Sequence, residues 1–312
     1  MQTKTLGLTV LIVGLALANA YLFFSDPPRQ KLRYRTDMFS IADTAQVSEI
    51  RIESTRFTHV FSRKSNWRIN DQYATDPSMR RILFAVLSRV RVVRPVSAKT
   101  IAELKNRIDE GFRVSIQTND GTLDLISIGN PTLTRTYFLL PDLSEGYEVS
   151  IPGYRDYVGS IFQLTTHQWR DRLVFDGNWR SIQQLTFAYG SPSDKDFTIR
   201  FSNSFYQVDE LAVIDSAAVV EYLNEFEYFQ ANEWFGEGQM PVFDSLMSLE
   251  PEWTITLDDI KYPEPIVLRF YPADPQTRLR PVKNQANDPM VFDDRRLKSL
   301  QKARQDFSYK EK

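Results

Sequence analysis

Cysteine is missing altogether from the 312 residues. That excludes disulfides, thiol nucleophiles, thiolate metal sites and lipid attachment through an N-terminal cysteine. Histidine is nearly missing: His59 alternates with strand-like residues in FTHVFS, and His167 stands just before Trp169. No Ser–His–Asp order can be argued from so small a set, and the chain contains no G-x-S-x-G elbow, phosphate loop or dinucleotide fingerprint. It also lacks an excess of either charge. With 38 Lys and Arg against 40 Asp and Glu, no global field points to nucleic acid. No catalytic residue, cofactor or metal ligand is assigned.

Carboxylates are the remaining chemistry. Asp258-Asp259 and Asp293-Asp294 offer adjacent acids, but such pairs at strand ends read first as turns or solvated edges. NDGTLD has the start of a calcium loop without its remaining ligands or distal Glu.

What is present begins with a run of 19 uncharged residues, Leu6 to Phe24. As a helix it spans roughly 28 Å, close to the hydrocarbon thickness of a bilayer. Ala18-Asn19-Ala20 resembles a signal-peptide cleavage site, yet the apolar run continues through Tyr21, Leu22, Phe23 and Phe24. The reading is an uncleaved single-pass anchor in the inner membrane with the body facing the periplasm. The alternative is a soluble periplasmic protein after cleavage near Ala20. Arg29, Lys31, Arg33 and Arg35 follow the run and pull the other way under the positive-inside rule.

Aromatic residues make up 13% of the chain, which favours pleated, half-buried surfaces. The pattern then repeats at an offset of about 135–142 residues. VSEIRIE is matched by SIQQLTFAY. The hairpin HVFSRKSNWRIN is matched by FTIRFSNSFYQV, with Phe61 and Trp67 set against Phe201 and Phe205. DPSMRRILFAVLSRV predicts a helix capped by Asp76, with Pro77 at its first position and Met79, Ile82, Leu83, Val86, Leu87 and Val90 on one face. IDSAAVVEYLNEFEYF predicts its counterpart, capped by Asp215 or Ser216, with Val219, Tyr222, Leu223, Phe226 and Phe229 inward. Strands and a short helical piece close each copy, and Asn119-Asp120-Gly121 is a hairpin turn. The expected fold class is α+β: two similar tandem modules of antiparallel sheet plus covering helix, preceded by one N-terminal transmembrane helix. The boundaries are 1–28 for the anchor or signal peptide, 36–165 for the first module, 166–180 for a connector, and 181–312 for the second module with a C-terminal basic helix.

HQWRDRLVF lies where one copy hands over to the next. Trp169, Arg170, Asp171 and Arg172 are the candidate site. Trp and Arg are common interface anchors. The alternative is an interdomain clamp, with Trp169 buried and Asp171 paired to a neighbouring Arg.

FSIADTAQVSEIRIE, W-R-I-N, DPSMRRILFAVLSRVRVVRPV, YEVSIPGY and WRDRLVF together resemble the bacterial proteins of domain of unknown function 4340. The resemblance implies a membrane-anchored, extracytoplasmic envelope protein, some relatives lying beside ABC-transporter components of the gliding-motility type. It supplies no catalytic residues. The expected function is a non-enzymatic accessory or scaffold protein of an envelope complex, anchored through Leu6 to Phe24, with an envelope protein as partner and no nucleic acid. The alternative is a cell-wall carbohydrate-binding protein or a hydrolase using two carboxylates.

Overall fold

The computed structural model describes residues 34–154, 157–191 and 193–309. The apolar run Leu6 to Phe24, and with it the expected anchor, lies outside these residues. Among the described residues no helix is long and apolar enough to cross a membrane.

The architecture is α+β, built on two large antiparallel sheets. The first half runs Val47–Glu53 (β1), Thr58–Arg63 (β2), Trp67–Ile69 (β3), Tyr73–Ala74 (β4), helix Pro77–Arg89 (α1), Arg91–Pro95 (β5), helix Ala98–Lys105 (α2), Phe112–Thr118 (β6), Gly121–Gly129 (β7), Thr136–Leu139 (β8) and Gly146–Ser150 (β9). The helical turn Thr166–Trp169 (α3) and Leu173–Phe175 (β10) follow. The second half has Ile182–Tyr189 (β11), Phe197–Ser202 (β12), Phe205–Val208 (β13), helix Ser216–Asn224 (α4), Phe229–Gln230 (β14), Glu233–Trp234 (β15), helix Pro241–Leu246 (α5), Trp253–Asp259 (β16), Ile266–Phe270 (β17), Leu279–Lys283 (β18) and Pro289–Asp293 (β19).

The nine-stranded sheet has the order β4-β3-β2-β1-β6-β7-β8-β9-β5, and the eight-stranded sheet the order β13-β12-β11-β16-β17-β18-β19-β15. β10 and β14 form a separate ribbon. Strand alternation sets the faces. In β1, Ile50 and Ile52 point into the core while Arg51 faces water. The hairpin of β6 and β7 closes on Asn119 and Asp120, and Gly121 takes a φ of 141° that a side chain would resist.

Each sheet carries helices on both faces. Leu83, Val86 and Leu87 of α1 join the core formed by Ile50, Phe61 and Ile116. On the opposite face Leu104 of α2 packs with Ile126, Ile128 and Leu139. The second sheet does the same with Val219, Tyr222 and Leu223 of α4 on one side and Phe243 of α5 on the other. Both covering helices start on an aspartate, as their sequences require. Asp76 accepts from the N–H groups of Ser78 and Met79, and Asp215 from those of Ala217 and Ala218.

Shorter elements and single positions refine these expectations. The basic helix expected at the C-terminus is two short 3₁₀ helices, Asp294–Leu300 and Arg304–Phe307. Leu297 and Leu300 lie three apart, so a 3₁₀ turn puts both side chains on one line, and both are buried. The short helical piece expected to close the first half is the 3₁₀ helix Val158–Gln163. The segment 166–180, expected as a connector, carries a helical turn and a short strand between the two large sheets. Phe201 is exposed and pairs with Tyr206, whereas Ile199 occupies the inward place that Phe61 holds in the first sheet. Ile82 is 46% exposed, because it sits about 100° round the helix from Leu83 and off the buried stripe.

Candidate functional site

Thr165 and Gln168 make a reciprocal capping box that starts α3 and aims Trp169 inward. Trp169 is fully buried and meets Phe61 edge to face, with centroids 4.8 Å apart. Its carbonyl accepts from the N–H of Asp76 at 2.8 Å. The Trp169 indole N–H is buried and unpartnered, a cost its packing must outweigh.

From Arg170 the chain leaves the first core and runs along the seam between the sheets. The Arg170 guanidinium lies 3.4 Å from the ring centroid of Trp234 and 4.1 Å from that of Tyr73. It also forms an ion pair with Asp288 at 3.0 Å. Tyr73 comes from β4 of the first sheet; Trp234 comes from β15 of the second, and Asp288 from the turn before β19. One planar cation therefore touches both halves, a geometry that suits arginine and not lysine. Burial pulls this guanidinium below its usual pKa, and Asp288 opposes the shift.

Asp171 does not pair with an arginine among the described residues. Its carboxylate accepts from the N–H of Leu173 at 3.0 Å, a local turn that uses the acid before any partner can. Its backbone carries the seam instead: the N–H donates to Ala74 at 2.8 Å, and the carbonyl accepts from the Trp234 indole at 2.9 Å. Arg172 reaches back to Asp76 at 3.4 Å. The four residues are thus gathered at one place, although the charge pairing falls to Arg170 and Arg172. Tyr73, Trp234 and Asp288 complete the site. Sequence reasoning did not name them, since their partner is distant along the chain and their strands are two residues long or end at a turn. A groove of about 280 Å³ opens beside them, lined by Gln72, Tyr73, Arg170, Leu173, Trp234 and Gln285.

Most of the other histidines and acids singled out in the sequence are held by hydrogen bonds or ion pairs. His59 is buried, stacked on Phe57 at 4.1 Å, and 3.0 Å from the Thr166 hydroxyl. Burial pushes it down to about 4. His167 is also pushed down, first by burial and then by the Arg170 charge. Asp259 is buried and accepts from the Ser181 hydroxyl at 2.6 Å and the Lys261 N–H at 2.8 Å. Asp293 is held down to about 2 by hydrogen bonds from Arg295. Asp294 pairs with the buried Arg280 at 2.6 Å. Among the described residues no group of three or more His, Asp or Glu is placed to hold a metal.

Compared with protein-family models, curated proteins and solved structures, the chain gives no match.

Proposed function

We propose that the protein is a membrane-anchored, periplasm-facing accessory or scaffold protein of an envelope complex, of the kind its resemblance to domain of unknown function 4340 implies. The observation that carries the reading is the pairing of the apolar run Leu6 to Phe24 with a two-sheet body whose joining segment is used up in holding the sheets together. Trp169 to Arg172 act in this reading as the clamp that fixes the angle between the halves.

The body is further proposed to be one module duplicated in tandem. Leaving β4 aside, each strand of the first sheet has a counterpart at the same place in the second. β1 carries a bulge between Val47 and Glu49 against Thr118 and Gln117; β11 carries one between Ile182 and Gln184 against Asp259 and Asp258. Bulges re-aim a strand and are kept as built features, which makes a shared one a strong mark of common origin. The turns after β8 and β18 each hold a positive-φ residue, Leu143 at 59° and Asn287 at 62°. The opening segments also match, with Val92 N–H bonded to Thr36 and Ala231 N–H bonded to Arg172.

Two measurements test the proposal. The intact mass of the chain from fractionated membranes is expected to include Met1 through Phe24; a chain beginning at Tyr21 would replace the anchor with a cleaved signal. Photo-crosslinking in intact cells is expected to recover one dominant envelope protein. A ladder of abundant neighbours, or enrichment on purified cell wall instead, would overturn the scaffold reading.

A further inference from the structure

We propose that the groove between α1 and the turn at Ile151 to Tyr154 docks an acidic segment of a partner protein through apolar anchors, an inference that rests on the accessory reading above. The groove has a volume of about 400 Å³ and is lined by Ile82, Val86, Arg89, Ile151, Tyr154 and Ile161 among others. Ile82 is 46% exposed and Tyr154 47%, so two large apolar side chains meet water side by side. Adjoining exposed apolar groups of this kind mark interaction sites.

Charge selects the occupant. The helix Pro77–Arg89 carries Arg80, Arg81 and Arg89 and no acid. Arg81 and Arg89 are exposed, and Arg89 lines the groove itself. A segment that places Asp or Glu beside leucine-like anchors would satisfy floor and rim together.

The second half serves as an internal comparison. Counting from the caps Asp76 and Asp215, the position of Ile82 holds Glu221 and the position of Val86 holds Glu225. There the Ser299 hydroxyl donates to Glu225 at 2.8 Å and ties the 3₁₀ turn down onto the helix. The first half has Ser160 on the matching turn, but Val86 offers it no acceptor, and the groove stands open. One half carries a polar tie at this place, while the other presents an apolar slot beside exposed arginines.

The test uses the full chain and fluorescence anisotropy of two labelled amphipathic helical peptides, one built from Leu and Glu and the other from Leu and Lys. The Glu peptide is expected to bind at least tenfold more tightly than the Lys peptide. Ile82→Glu and Arg89→Glu are each expected to weaken it at least tenfold, while Glu221→Ala changes nothing. Equal affinity for the two peptides, no binding of the Glu peptide, or no loss in Ile82→Glu with an unchanged unfolding midpoint would overturn the proposal. Arg89→Glu, a surface change, keeps the test open should Ile82→Glu fail to fold. Loss of binding to phosphatidylglycerol vesicles in Arg89→Glu, with peptide binding intact, would assign the groove to lipid and also overturn it. A photo-crosslinker at Arg81 separates this failure from that of the scaffold reading: with the groove alone wrong, an envelope partner is still captured and its capture ignores Ile82→Glu; with the scaffold reading wrong, none is captured.

Discussion

Trp169 and Phe307 hold the same post at the ends of the two halves. Each backbone carbonyl accepts, at 2.8 Å, from the N–H of the aspartate that caps a covering helix, Asp76 for Trp169 and Asp215 for Phe307. Each ring is about fully buried against its own sheet and helix core. Both residues thus close a core and fix a helix start in one step. Truncation of either is expected to cost about 3–5 kcal/mol, the range for large aromatic side chains removed from cores. Urea unfolding of Trp169→Ala and Phe307→Ala measures this. A cost below about 1 kcal/mol in either would mean that the closing residue is dispensable.

The caps beneath them are predicted to differ. Asp76 holds two helix N–H groups and also Arg172, while Asp215 holds the two N–H groups. Asp215→Ala is expected to cost about 1 kcal/mol, the usual loss of a cap. Asp76→Ala should cost more, and the excess should vanish in an Arg172→Ala background. An excess that persists there would locate it elsewhere.

Arg170 and Asp288 are expected to be coupled across the seam. In a double-mutant cycle with Arg170→Ala and Asp288→Ala, the interaction energy should be about 1–2 kcal/mol, well above the value for exposed pairs. Arg170→Lys should not restore it, because the ammonium cannot lie flat between Tyr73 and Trp234. Full rescue by lysine would reduce the contact to simple charge attraction.

His59 predicts a pH dependence. Its folded pKa is lowered to about 4 by burial, below the ordinary 6.5. As pH falls, the unfolded chain therefore takes up the proton first. The stability due to the neutral buried ring is complete above about 6.5 and is lost as pH falls from there toward about 4, to a limit of ~3 kcal/mol. His59→Phe keeps a ring against Phe57 and removes the titration. Its stability should fall less steeply than that of the natural chain between pH 6.5 and 4.5. His167 shifts the same way, so some slope remains. Parallel profiles for the two proteins would place the proton uptake on another group.

Much of the fold could be read from local pattern. Asp76-Pro77, Asp215 and Asn119-Asp120-Gly121 announce their caps and turn through short-range backbone chemistry, and strand alternation in VSEIRIE marks its inward face. β4 and β15 could not be read, because strands of two residues have no period and exist only through their pairing. The same limit hid the site. Trp169 and Arg170 stand out in sequence, but nothing near them indicates that Arg170 lies on Trp234, or that Asp171 gives its carboxylate to Leu173. Ile82 misled for a related reason: a helix with apolar residues on more than one stripe does not say which stripe the sheet will cover.

The shortness of the join has a mechanical consequence. Between the carbonyl of Trp169, tied to Asp76, and the carbonyl of Arg172, tied to Ala231, the chain passes from one sheet to the other with no slack residues. In the clamp reading proposed above, torque applied to one sheet is passed to the other through these bonds rather than taken up in a hinge.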